Sequence, residues 1–361
     1  MELGGSELFQ VSANGRVENV RQCIDRGDDV DEKDGQGRAA LQAACLNNHI
    51  DAATLLLDHG ASIDATDARG QTALHLSCAN DNVDAATLLL DRGANKDAAM
   101  HEGGWTPLHI ACHQGHVDAT NLLLGRGAEV DRPKEDGMTP LYVACGIGQV
   151  ATAQLCIDYG ADVNRMAQNG SGPLHAACWG GHVDTMRLCL DRSANVNQGD
   201  DYGITPLHLT CFNGHIAAAR LRLERGAHTH LATSVTSGGT TPHEAARIKG
   251  HSAMAAWLGR VQETGWVRHL SEPRYRLVVL RELVARGRAR RGRAFGKEQL
   301  LDFLFPSDQP RRRARRGQPR LPDDLFSVIA RYYSGGGLSA EEEAAAAAEA
   351  AKEEEASEPE E

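Results

Sequence analysis

The run Trp105-Thr106-Pro107-Leu108-His109-Ile110-Ala111-Cys112 returns, slightly altered, along most of the chain. Close copies stand at Thr139-Pro140-Leu141-Tyr142, Gly172-Pro173-Leu174-His175 and Thr205-Pro206-Leu207-His208. Looser ones stand at Ala39-Ala40-Leu41-Gln42, Thr72-Ala73-Leu74-His75 and Thr241-Pro242-His243-Glu244. Between residues at the proline position the steps are 33, 34, 33, 33, 33 and 36. A fixed period of this size prescribes a solenoid, in which each unit buries its apolar face only against its neighbours. It also points to an extended binding surface rather than to a catalytic pocket.

A chain of 361 residues would ordinarily suggest two or three domains. The repeat removes that expectation, because solenoids grow by adding units. Aromatic residues are 4% of the chain, too few for one large mixed core but suited to helix pairs packed through Leu, Ala and Val. The net charge of −11 is segregated: residues 1–265 are acidic, 266–335 basic, and the tail from Gly336 acidic again. The start lacks the basic and apolar regions of a signal peptide. No stretch approaches the roughly 18–20 apolar residues that span a bilayer. The expected setting is therefore cytoplasmic, or nuclear if the basic segment acts as an import signal, with no membrane contact.

The same period bears on the nine cysteines. Cys45, Cys78, Cys112, Cys145, Cys178 and Cys211 share one slot, and Cys23, Cys156 and Cys189 share a second. Thiols in one slot of adjacent units lie about 10 Å apart, beyond the roughly 7 Å Cα separation a disulfide tolerates. There is no CxxC pair, so buried packing thiols are expected. Nine of the sixteen histidines also recur in phase. His75, His109, His175 and His208 belong to the helix-start motif, and His49, His116, His182, His215 and His251 follow the helix end. No metal, cofactor or catalytic role is assigned to them.

One unit shows the logic. Thr106 can cap a helix and Pro107 suits its first position, where no N–H is needed. Gly115 suits the left-handed residue that closes it. Val117 to Leu124 forms a second helix, with Val117, Leu122 and Leu123 expected to face inward. Gly127 ends it, and a hairpin-like loop leads on. Both helices are shorter than the roughly 12–15 residues at which isolated helices become marginal, so stacking must hold them.

The Thr-Pro-Leu-His-x-Ala motif, the Gly-His step and the Leu-Leu-Leu-Asp-x-Gly-Ala ending resemble the ankyrin-repeat family, over residues 5–260 and about seven to eight units. The resemblance implies an all-α solenoid of helix-turn-helix units joined by hairpin-like loops. The first unit, from Leu8 to Val30, lacks the Thr-Pro start and resembles an N-terminal cap. Ser193 replaces a turn glycine, which predicts a strained or reshaped bend. His243 stands where the motif places a core Leu. The expected organisation is repeats over 1–262, a basic helical extension over 263–335 and a disordered Ala/Glu-rich tail over 336–361.

The resemblance further implies binding through loop tips and the first helices, which line a concave groove. Positions there vary from unit to unit: Leu46, Ala79, His113, Gly146, Trp179 and Phe212 follow the first-slot cysteines. Arg38, Gln71, Trp105, Met138, Ser171 and Ile204 precede the caps. Trp105, His113, Met138, Trp179, Ile204 and Phe212 are the candidate contact residues, since exposed aromatic residues are frequent binding hot spots. Loop acids Asp28, Asp29, Asp31, Glu102, Glu135, Asp136, Asp200 and Asp201 suggest a negative rim that favours basic or mixed-charge protein segments.

Beyond Trp266 the period stops. Helices are expected over 275–289 and 296–305, and from Pro322, where Leu325, Phe326, Ile329 and Tyr333 form an apolar stripe. Leu321-Pro322-Asp323-Asp324-Leu325 resembles the opening of an F-box, a ubiquitin-ligase docking segment. The run Arg311, Arg312, Arg313, Arg315 and Arg316 could serve nuclear import. It lacks the interleaved aromatic residues of single-strand binders, so nucleic acid is not the expected partner. With no phosphate-binding glycine loop, metal-ligand spacing or nucleophile elbow, the expectation is a monomeric, non-enzymatic scaffold or adaptor without a small-molecule substrate. The alternative is a ubiquitin-ligase substrate receptor.

Overall fold

In a computed structural model, residues 6–234 and 238–264 are described. All but the first two residues of the expected extension, the whole tail, the arginine run and the F-box-like segment lie outside them. The chain divides into two compact units, Met1–His251 and Ser252–Glu361.

The first unit alternates short helices in pairs: α1 (Glu7–Ala13) with α2 (Val17–Asp25), α3 (Ala40–Leu46) with α4 (Ile50–Asp58), α5 (Ala73–Ala79) with α6 (Val83–Asp91), and α7 (Pro107–Gln114) with α8 (Val117–Gly125). There follow α9 (Pro140–Ile147) with α10 (Val150–Asp158), α11 (Pro173–Gly180) with α12 (Val183–Asp191), α13 (Pro206–Phe212) with α14 (Ile216–Glu224), and then α15 (Pro242–Ile248). Of the second unit, α16 (Ser252–Thr264) is described. No strand occurs among the described residues; there is one isolated antiparallel bridge, between Lys33 and Ala39. In the first unit, odd-numbered helices pack on one another in a first row, from α1 to α15, and even-numbered ones from α2 to α14 form a second row behind it.

The local chemistry follows the motif. Thr106 and Thr139 accept the N–H groups of His109 and Tyr142, and the prolines occupy the first helical turn. Gly148 and Gly181 close their helices at φ of 83° and 72°. Glycine is required there twice over. The backbone is left-handed, and a Cβ would stand 2.6 Å from the His182 ring at Gly148 and 2.7 Å from the His215 ring at Gly181. Asn48 and Asp81 take the same conformation without being glycine. Their side-chain oxygens accept the N–H groups of Ala85 and Ala119 in the next unit, both at 3.2 Å, which offsets the strain. Ser193 keeps the left-handed bend at φ 68°, so of the two expected outcomes strain is the one found.

The core corrects one expectation and adds to another. Val117 is 40% exposed rather than inward-facing, because the first residue of the second helix lies at its edge. Ala119, Thr120, Leu123 and Leu124 bury that helix instead. The nine cysteines are free and buried, but they are not all remote from one another. Cys112 Sγ lies 3.5 Å from Cys156 Sγ, and Cys145 Sγ lies 3.5 Å from Cys189 Sγ. Thiols within one slot are kept apart by the unit spacing, whereas the two different slots of adjacent units meet. Burial pushes the Cys45 and Cys178 thiols up to about 12, so they stay protonated and act as packing groups.

Across the outer ends of the second row, the arginine that follows the second helix of four units reaches the aspartate that ends the second helix of the neighbouring, preceding unit. Arg92–Asp58, Arg126–Asp91, Arg192–Asp158 and Arg225–Asp191 form this ladder at 2.9, 2.6, 3.1 and 2.6 Å. Such exposed pairs contribute about 0–1 kcal/mol each.

Candidate protein-binding face

The first-row helices are joined by a recurrent clip. Thr106 N–H donates to His109 Nδ1 at 3.3 Å, so that nitrogen is the acceptor and Nε2 carries the proton. Nε2 then donates to the Met138 carbonyl of the next unit at 3.1 Å. His75 reaches the Trp105 carbonyl, His175 that of Ile204 and His208 that of Thr240, at 3.1, 3.2 and 3.0 Å. Where the histidine is replaced, the link survives. Gln42 Nε2 donates to the Gln71 carbonyl at 2.6 Å, and the Tyr142 hydroxyl meets Ser171 Oγ at 3.1 Å. Burial pulls the His109 and His175 imidazoles down to about 4, against the opposing effect of the carbonyl they serve.

A second set of staples follows the helix ends. Asn82 Nδ2 donates to the Leu46 carbonyl at 2.8 Å, His116 Nε2 bonds the Ala79 carbonyl at 3.1 Å and His251 Nε2 that of Phe212 at 3.0 Å. No group of three or more His, Cys, Asp or Glu among the described residues could hold a metal ion. No described helix is long and apolar enough to cross a membrane.

The six candidate contact residues separate into two clusters and two half-buried singles. Trp105 meets His113 edge-on, with ring centroids 5.5 Å apart, and Lys134 Nζ stands 4.8 Å from the Trp105 ring. Trp179 and Phe212, from consecutive units, stack at 6.1 Å with 27° between the planes. Trp179 remains 57% exposed. Met138 and Ile204 are half-buried, and their carbonyls are acceptors in the clips.

One member of the row escapes a reading that counts from the cysteines. The unit of α15 has Arg247 in the first cysteine slot, and the following residue, Ile248, is 66% exposed in the register of Trp179 and Phe212. Lys249 Nζ stands 4.2 Å from the Phe212 ring centroid. Counting six residues on from Pro242 would have found it.

The acidic rim is partly occupied by the chain itself. Asp28 pairs with Arg26, Asp29 accepts Asp31 N–H, and Asp31 accepts the backbone N–H and hydroxyl of Ser62. Glu135 accepts Gly103 N–H, and Asp200 those of Tyr202 and Ile204. Asp136 accepts Met138 N–H and pairs with Lys134 at 2.7 Å. Partial burial raises the Asp136 carboxyl, but those two contacts outweigh it and hold the group below the usual carboxylate range. Several of these carboxylates thus brace their own turns. Glu102 and Asp201 project as exposed acids.

A family model described as ankyrin repeats matches residues 8–100, 96–167 and 148–233. No curated protein matches. Among solved structures, the human ASB11 ankyrin repeat domain is similar at 28% identity and a TM-score of 0.55, covering 61% of this chain and 97% of that one. The ankyrin repeat domain of Bcl-3, described as a unique member of the IkappaB protein family, is similar at 28% identity and a TM-score of 0.52, covering 57% and 94%.

Proposed function

We propose, from the premise that the chain belongs to the ankyrin-repeat family, that it is a non-enzymatic scaffold or adaptor whose first-helix row holds partner proteins. Ankyrin repeats are protein-interaction modules, and the fold names no particular partner. The observation that carries the reading is the stacked Trp179–Phe212 pair. A large ring left mostly exposed beside another, in a chain so poor in aromatics, is costly to leave in water and typical of contact surfaces. The buried clip histidines bond main-chain carbonyls of the next unit and the thiols pack in the core, which supports that reading. The ligase-receptor alternative rests on residues 321–329, outside the described part of the chain.

Capture from cell extract with full-length bait, quantified by mass spectrometry, tests the proposal. Trp179→Ala with Phe212→Ala should remove a defined set of proteins while the far-UV helical signal stays unchanged. Identical capture by both baits would make the rings packing groups and sink this reading.

A further inference from the structure

The net charge of −11 suggests a cationic partner, yet the first-helix row does not carry that charge. Helices α9, α11 and α13 contain no Asp, Glu, Lys or Arg. The one carboxylate on α15, Glu244, is occupied by its own helix cap. It accepts Thr241 N–H at 2.8 Å and the Thr241 hydroxyl at 2.9 Å. Much of the loop acid is engaged in the same way by backbone N–H groups. What faces outward along this row is therefore apolar and then cationic: Ile147, 47% exposed on α9, then Trp179 stacked on the half-buried Phe212, then Ile248 and Lys249. Lys249 has no carboxylate partner among the described residues and rests over the Phe212 ring. An exposed cation so placed gains about 0.5–1 kcal/mol from the ring and keeps donors for an anion.

We infer that this row takes an apolar peptide segment carrying a carboxylate, with apolar side chains over Trp179 and Ile248 and the carboxylate at Lys249. The inference rests on the first-helix row being the binding face and adds the chemistry of what binds there. It reverses, for this stretch of the surface, the basic partner that overall charge suggests. Charge at such a rim selects among partners and sets association rates more than it adds affinity.

The test is a displayed library of random dodecamer peptides selected on the full-length protein, followed by fluorescence polarisation with synthetic versions of the selected sequences. Enriched peptides should combine Leu, Ile, Phe or Trp with Asp or Glu. Replacing that acid by its amide, or Lys249 by Met, should each weaken binding by about fivefold, the upper range for one exposed ion pair. Lys249→Glu should weaken it further and shift a repeated selection towards Lys and Arg. Circular dichroism on each variant verifies folding. If Trp179→Ala or Ile248→Asp abolishes binding but Lys249→Glu and Lys249→Met do not alter it, the face is right and the acidic specificity is wrong. If the selected peptides are basic, the specificity is again wrong. Peptides indifferent to all four substitutions, or no enrichment, would overturn both the specificity and the face.

Discussion

In α8, α10 and α12 the seventh residue is Leu123, Cys156 and Cys189; in α14 it is Arg222. All four are fully buried. The three in the middle of the array meet apolar atoms and thiols, with Cys156 and Cys189 in sulfur contact with the preceding unit. Arg222 donates from Nη2 to the Val196 carbonyl, while Nε and Nη1 have no hydrogen-bond partner among the described residues. Burial pulls its guanidinium below the usual arginine range, only partly opposed by the neighbouring thiols of Cys178, Cys189 and Cys211. The same frame thus holds a relaxed core in its middle and a penalised one near its end. Stability in a solenoid is approximately a sum of unit and interface terms, so neighbours must hold the weaker unit in place. The weaker unit also presents Phe212, one ring of the candidate contact pair. Binding elements are often drawn from the less stable parts of a fold.

That contrast can be broken from either side. The largest effect is expected from moving the arginine: Leu123→Arg should destabilise the array by about 3–5 kcal/mol, because it buries a charge without a counter-ion. Urea unfolding would measure it. A midpoint close to that of the unaltered protein would mean that the slot accommodates a guanidinium anywhere, and the contrast would disappear.

Acid should act next, mainly on the middle units. His109 and His175 are held near 4 in the folded state against 6.5 when free. Between those values the unfolded chain binds more protons, so stability is fully present above about pH 6.5 and falls as pH is lowered towards 4. The loss is at most about 3 kcal/mol per histidine. Urea midpoints from pH 7.5 to 4.5 should fall, and His109→Gln, which can keep the clip as Gln42 does, should flatten the slope. An unchanged slope would remove His109 from the account.

The smallest effect is a gain. Arg222→Leu gives α14 the leucine that α8 carries at this position and should stabilise by about 1 kcal/mol, as replacements of buried charge by apolar groups often do. Hydrogen exchange should slow most in residues 206–224. Faster exchange there would mean that the arginine supports α14 rather than burdening it.

The period made much of this legible. Caps, closing glycines and helix order follow from residues repeated in phase, and the clip histidines were identifiable as structural because they recur. What was hidden depended on contacts between different slots. Cysteine spacing within one slot said nothing of Cys112 against Cys156, since that pair joins two slots across two units. Ile248 was missed because Arg247 replaced the cysteine from which the position was counted. Val117 looked inward because apolar character alone does not say where a short helix begins to turn away. Trp179 and Phe212 could be nominated from sequence, but their stacking, and Lys249 over Phe212, required the unit spacing and the ring orientations.

The clip between units makes one demand and leaves another free. Its donor is a fixed side chain in one unit, but in most cases its acceptor is a main-chain carbonyl in the next, which every residue supplies. Trp105, Met138, Ile204 and Thr240 all serve equally. The joint therefore places no restriction on the side chain beside it. Mutation can rewrite the text of the binding face, one position at a time, without loosening the spine that holds the pages together.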